Sequence, residues 1–163
     1  MEEWEKAAGY LPARLRTAAL RVPDAVRESV QEIRLRADAP LAFSTPVAEW
    51  MLSERDGLVV DRRPDVVVAS RRELQECFQR LCDYSIHSHQ EELRRGFVGT
   101  SLGCRAGVAG SAVVENGAVT SIRDITSLCI RIARRHIGCA DRLLPLVLPR
   151  GVPRSTLICG EPS

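Results

Sequence analysis

Ala112-Val113-Val114-Glu115-Asn116-Gly117-Ala118-Val119 is the stretch that decides the fold. An Asn-Gly pair between apolar runs favours a two-residue type I′ turn, because that turn needs positive φ at both central positions. It predicts a β-hairpin centred on Asn116-Gly117. Before it, Phe97-Val98-Gly99-Thr100 and Cys104-Arg105-Ala106-Gly107-Val108-Ala109-Gly110 read as glycine-punctuated strands. After it, the returning strand is expected in two pieces. Alternation puts Leu128, Ile130 and Ile132 on one face and Cys129, Arg131 and Ala133 on the other.

Further upstream, Glu32-Ile33-Arg34-Leu35-Arg36 alternates polar and apolar, the pattern of a strand buried on one face. Asp38-Ala39-Pro40 turns the chain and Leu41-Ala42-Phe43-Ser44 returns as a second strand. Glu49-Trp50-Met51-Leu52 and Leu58-Val59-Val60 are short strands around a turn at Asp56-Gly57. Val66-Val67-Val68-Ala69 is either a buried strand or a helix lead-in. Ser70 and Glu73 then form an S-x-x-E capping box, and Leu74, Cys77, Phe78, Leu81 and Cys82 make one apolar helical face. A second short helix is expected from about Ser85 to Arg95, ended by Gly96. Residues 2–20 read as one or two helices, with Pro12 suited to the first turn of the second. The fold class is therefore α+β, with N-terminal helices and a mixed or antiparallel sheet carrying two packed helices.

The tail is different in texture. A helix is expected over about Ile137 to Leu148, interrupted by Pro145, followed by the linker-like Pro149-Arg150-Gly151-Val152-Pro153. Domain boundaries are placed at 1–136, 137–154 and 155–163. Thr156-Leu157-Ile158-Cys159 reads as a short apolar strand running into Gly160-Glu161-Pro162-Ser163. A P-loop, G-x-x-x-x-G-K-[ST], begins this way; its glycines let backbone N–H groups cup phosphates and its lysine reaches the β and γ positions. Only the first four positions are present, and an ordinary strand-end turn fits them too. A buried-type strand placed last, with nothing after it to cover it, suggests that the natural chain continues.

Composition narrows the function classes. The chain has 163 residues, 45% of them hydrophobic, and a formal net charge of +2, enough apolar content for a real core. Its start is acidic, with no apolar signal core, and no apolar run approaches the roughly 20 residues of a membrane span. Of 23 cationic residues only Lys6 is a lysine. Arginine bias follows from a GC-rich genome, or from phosphate binding, for which the guanidinium fork is suited. Arg105, Arg123, Arg131 and Arg134 all lie in the β-rich half, where the plain reading is the polar face of a sheet. The near-neutral charge and seven aromatics count against a single-strand nucleic-acid groove.

Six cysteines without C-x-x-C spacing read as reduced small hydrophobes. His87 and His89, two apart near a helix start, point away from each other and read as surface residues. No Ser/His/Asp or Cys/His arrangement is suggested by order or spacing, and no metal-ligand set is found. Cys104 beside Arg105 does not read as a nucleophile. Glu91, Glu92, Arg94 and Arg95 read as a solvated helix face with local ion pairs. Gly99 to Gly110 lacks G-x-G-x-x-G order.

Taken in order, several segments resemble the stage III sporulation protein AA family of endospore-forming bacteria. They are Glu32 to Arg36 with Pro40-Leu41, Tyr84-Ser85-Ile86, Glu91 to Phe97, Arg105 to Gly110, Ile122 to Leu128, Ile130 to Arg134, and Ser155 to Pro162. The family is similar to the secretion-type ATPases. The resemblance implies an α/β N-terminal domain, a linker and a P-loop ATPase domain working as a ring, hexameric by analogy, with ATP and Mg2+ as cofactors. Its place would be the mother-cell cytoplasm, peripheral to the membrane facing the forespore, where it would energise the stage III channel components. The present chain would then be the N-terminal assembly and regulatory domain plus the first strand of the ATPase core. By the same resemblance, Gly160, Glu161, Pro162 and Ser163 open the nucleotide loop, and Arg105 and Arg131 reach nucleotide phosphates. With no loop lysine, magnesium hydroxyl or Walker B acid, these 163 residues offer no catalytic residue and are not expected to hydrolyse ATP. A nucleic-acid-binding module and a stand-alone interaction domain are the alternatives.

Overall fold

The computed structural model describes residues 2–134 and 137–160, and the chain falls into two compact units, Met1–Ala133 and Arg134–Ser163. In the first, three helices lead: α1 (Glu2–Gly9), α2 (Ala13–Ala19) and α3 (Asp24–Arg27). Pro12 sits at the N-cap of α2, where its missing N–H costs nothing. Then come β1 (Glu32–Arg36), β2 (Ala39–Pro40), β3 (Ala42–Ser44), β4 (Glu49–Ser53), β5 (Gly57–Val59) and β6 (Val68–Ala69). The remaining elements are α4 (Arg71–Leu81), a 3-10 turn (Ile86–His89), α5 (Gln90–Arg94), β7 (Phe97–Gly99), β8 (Arg105–Glu115) and β9 (Ala118–Arg131).

Seven strands form one sheet in the order β5-β4-β3-β1-β9-β8-β7, and β2 pairs with β6 separately. Every pairing is antiparallel, so the α+β expectation holds and the sheet is not mixed. The hairpin between β8 and β9 turns where the Asn-Gly pair places it, with Asn116 at φ 51° and Gly117 at φ 78°. The expected break in the returning strand is absent: β9 runs unbroken for 14 residues. Its irregularity is taken up by bulges instead. The ladder passes from Ala109↔Ser127 to Ser111↔Arg123, so Gly110 faces Asp124, Ile125 and Thr126, with Asp124 at φ 46°. Such an insertion bends a strand without ending it.

One face of the sheet is the core. Alternation in β1 buries Ile33 and Leu35, and register carries that row across the sheet: Val98, Ala106, Ile130, Ile33 and Phe43 stand side by side. The predicted stripe of α4 (Leu74, Cys77, Phe78 and Leu81, with Cys82) covers this face, α4 packing on β9 and β1 and α5 on β9 and β7. Trp4 of α1 lies 5.6 Å from the Phe43 ring, and Leu11 and Leu15 complete the layer. Each large side chain buried here contributes roughly 1.5–3 kcal/mol. Burial pushes the Cys77 thiol up to about 12 and the Cys82 thiol up to about 11, so both behave as apolar filler.

The capping box of α4 forms as the sequence predicts and is reinforced from a distance. Ser70 Oγ accepts from the Glu73 N–H and the Glu73 carboxylate accepts from the Ser70 N–H. Arg14 of α2 grips that carboxylate with two hydrogen bonds of 2.8 Å and donates a third to the Val68 carbonyl. The Arg14 hydrogen bonds, opposed by burial and helped by the Ser70 bonds, hold the Glu73 carboxyl at about 2, below its usual 4.5. A depressed carboxyl stabilises the fold above its unfolded pKa, and that contribution is lost as pH falls through the folded value. Glu73→Gln is therefore expected to cost about 1 kcal/mol at pH 7. In urea titrations its gap to the wild type should close between pH 4.5 and about 2. A gap that persists unchanged at pH 2 contradicts this pairing.

In the second unit, α6 (Leu144–Val147) is the only α-helix among the described residues, followed by a 3-10 turn over Pro149–Gly151. The longer helix expected from Ile137 is not formed, and Pro145 lies in the first turn of α6 instead of interrupting it. A proline ring is accommodated at a helix start, where the N–H it lacks has no partner to lose. The strand expected at Thr156–Cys159 is also absent: residues 152–160 carry neither helix nor strand. Leu157 is 87% exposed and Ile158 67%. A strand needs a neighbouring edge for its N–H and C=O groups, and the described residues of this unit supply none.

Candidate functional site

Residues directly opposite in adjacent strands share a face, so register alone builds a row on the side of the sheet away from the core. That row is Gly99, Arg105, Arg131, Glu32, Ser44 and Glu49, taken from β7 through β8, β9, β1 and β3 to β4. Two of the arginines singled out in the sequence are thus direct cross-strand neighbours. Like charges in that position repel, and each is held by a partner of its own. The Arg105 guanidinium lies 4.6 Å from the centre of the Phe97 ring. Stacking uses the flat face of the group and leaves its in-plane N–H donors outward. Arg131, whose side chain is 71% exposed, donates through Nη2 to Glu32 Oε1 at 3.2 Å.

Glu32 organises the row. Its second oxygen accepts from Arg34 Nη2 at 2.8 Å and Nε at 3.1 Å, and Arg34 reaches on to Glu49 Oε2 at 3.3 Å. Burial would raise the Glu32 carboxyl, but hydrogen bonds from Arg34, Cys129 and Arg131 outweigh it and hold the group below the usual carboxylate range. The same neighbourhood raises the Cys129 thiol, through burial first and its hydrogen bond to Glu32 next, so this cysteine stays a thiol at neutral pH.

Other sequence candidates are not gathered here. Arg123 is exposed on β9, opposite Ser111 and beyond the bulge, and Arg134 opens the second unit. Gly160 is exposed and outside any strand, while Glu161, Pro162 and Ser163 lie outside the described residues. His89 contacts Glu92 Oε2 at 3.0 Å, and His87 contacts Gln90. Among the described residues, Glu91 and Glu92 form none of the expected ion pairs with Arg94 and Arg95. Arg94 donates to the Thr120 carbonyl and Glu92 accepts from the Gly99 N–H, because both side chains reach back to the sheet. Among the described residues no group of His, Cys, Asp and Glu is placed to hold a metal ion. None of the described helices is long and apolar enough to cross a membrane.

Glu32, Phe97 and Arg34 were missed as site residues. Glu32-Ile33-Arg34-Leu35-Arg36 carried the signal, since its alternation puts Glu32, Arg34 and Arg36 on one face; what sequence lacks is the strand order that sets β1 beside β9. Chemically, the row offers two anchored guanidiniums facing solvent, donors whose fork geometry suits an oxyanion.

A family model described as "Sporulation stage III, protein AA" matches residues 1–163. The chain is 31% identical over 155 residues to a protein of Bacillus subtilis (strain 168) described as "Stage III sporulation protein AA". That alignment covers 95% of this chain and 46% of the relative, so the chain spans about half the relative's length. No solved structure matches.

Proposed function

This chain belongs to the stage III sporulation protein AA family, and from that premise we propose that it is the assembly and regulatory domain of a sporulation ATPase. In this reading the complete protein works as a ring that energises the channel between mother cell and forespore. The observation that carries the reading is the facing pair Arg105 and Arg131 on the solvent side of the sheet. An ATPase ring must neutralise phosphate charge, and an arginine brought in by a separate domain can couple closure to the state of the nucleotide.

The two guanidiniums fit a phosphate group. Arg131 is braced by Glu32 and Arg105 by Phe97, so little side-chain freedom is lost when an anion arrives between them. The nucleotide loop is different. Gly160 is exposed, stands in no strand, and no lysine follows it within these residues, so the described residues form no phosphate cradle. When bound, ATP with Mg2+ would supply the phosphoanhydride that drives the ring. What these residues contribute is anion binding and positioning. The resemblance of Thr156 to Ser163 to the entry of a P-loop supports a continuation into that core, where neighbouring strands would cover Leu157 and Ile158.

The natural coding sequence tests the proposal directly. It is expected to follow Ser163 with a glycine, a lysine and a serine or threonine that complete the loop within a few codons. A different continuation sinks the ATPase reading and leaves a stage III interaction domain.

A further inference from the structure

On the same side of the sheet, beyond Glu32, lies a second and separate feature: a pocket of about 200 Å³ bordered by Arg34, Arg36, Arg62 and Glu49. Its floor follows from register, since Arg34, Ala42 and Met51 are aligned across β1, β3 and β4. Ala42 is small enough to leave a depression, and Met51 gives one wall an apolar surface.

The charge around this pocket is unbalanced. Arg34 is committed to Glu32 and Glu49, so Glu49, the acidic residue among those lining the pocket, is already engaged. Arg36 and Arg62 make no ion pair or side-chain hydrogen bond among the described residues. Their neighbour Arg63 has taken Asp56. Two uncommitted guanidiniums thus flank a concave, partly apolar site whose own acid is neutralised.

We propose that this pocket binds a small phosphate ester. A phosphate monoester brings close to about −2 of charge and three acceptor oxygens, which two guanidinium forks can share. A single carboxylate would leave one of the two cations unanswered. The apolar floor at Ala42 and Met51 suits the carbon skeleton on the far side of the phosphorus. The Glu32 carboxylate separates this pocket from Arg131, so the site does not depend on the ring reading above.

The measurement is an NMR titration of the chain with inorganic phosphate, and in parallel with ADP, at fixed ionic strength, followed at the Ala42 and Met51 amides. Saturable shifts are expected there, and Arg36→Gln and Arg62→Gln should each raise the dissociation constant about tenfold. Arg123→Gln, on β9 beyond the bulge and not among the pocket residues, should leave it unchanged. ADP binding more than tenfold tighter than phosphate at these amides assigns the ester to a nucleotide; equal binding assigns it to an ester other than a nucleotide, recognised through its phosphate group. The proposal is overturned if these amides do not saturate. It is equally overturned if neither Arg36→Gln nor Arg62→Gln weakens binding. Because both arginines are exposed and make no ion pair or side-chain hydrogen bond among the described residues, neither change threatens the fold.

Discussion

Gly110→Val is expected to lower the thermal midpoint of the chain by about 10 °C, the equivalent of roughly 3 kcal/mol. Gly110 sits where the β8–β9 ladder gains two residues, and the two backbones are drawn together there. A Cβ at this position would lie 2.5 Å from the Arg123 carbonyl oxygen, 2.9 Å from Ile122 Cγ2 and 3.1 Å from the Asp124 carbonyl oxygen. Two of those atoms are backbone, so the clash cannot be relieved by a rotamer change. Relief requires the bulge to move, and Ile125, buried beside it, must move with it. Gly107, three residues earlier on β8, is the control. Its added Cβ would meet the Cys129 Cβ at 3.7 Å and the Cys129 carbonyl oxygen at 3.9 Å, both ordinary contacts. Gly107→Ala should leave the midpoint within a degree or two, or raise it slightly by restricting the unfolded chain. Equal effects at the two glycines would show that the bulge is not the constraint.

The contrast between these glycines also shows where sequence reading works. Local rules were legible: the Asn116-Gly117 turn, the Ser70–Glu73 box, the α4 stripe and the β1 alternation each follow from spacing within about a dozen residues. Gly110 looked like its neighbours Gly107 and Gly103, because a bulge is defined by how many residues the partner strand spends opposite it. The unbroken β9 was hidden for the same reason. Its apolar period slips at Asp124, which in one dimension reads as a break and in three as an insertion.

The site divides along the same line. Arg105 and Arg131 were singled out as members of strands that resemble a family, but their facing placement depends on β8 and β9 pairing from Glu115↔Ala118 back to Arg105↔Arg131 across two register shifts. Glu32 lies 99 residues from Arg131 along the chain. No local pattern couples them. Arg14 and Glu73 are likewise joined only by the fold. In the second unit the expected strand does not form because a strand's stability resides in its neighbours, and the described residues of this unit offer residues 152–160 no strand to pair with.

The arginine pair supports the second large effect. If Arg105 and Arg131 bind phosphate oxygens in the assembled ATPase, each contributes a charge-assisted fork that opens and closes with the domain carrying it. Removing one leaves negative charge unanswered at the moment of transfer, a loss that for arginines in this role reaches orders of magnitude in turnover. Glu32→Gln should act more gently. It frees Arg131 and Arg34 without removing either charge, so it should weaken apparent ATP affinity more than it slows turnover at saturation. Arg123, exposed beyond the bulge, serves as the control.

ATP turnover by the complete protein carrying Arg131→Ala, with its oligomeric state checked alongside, tests the central claim most directly. A fall of about a thousandfold at saturating ATP is expected, matched by Arg105→Ala and absent in Arg123→Ala, with assembly unchanged. Turnover within twofold of the wild type in an intact assembly would contradict it.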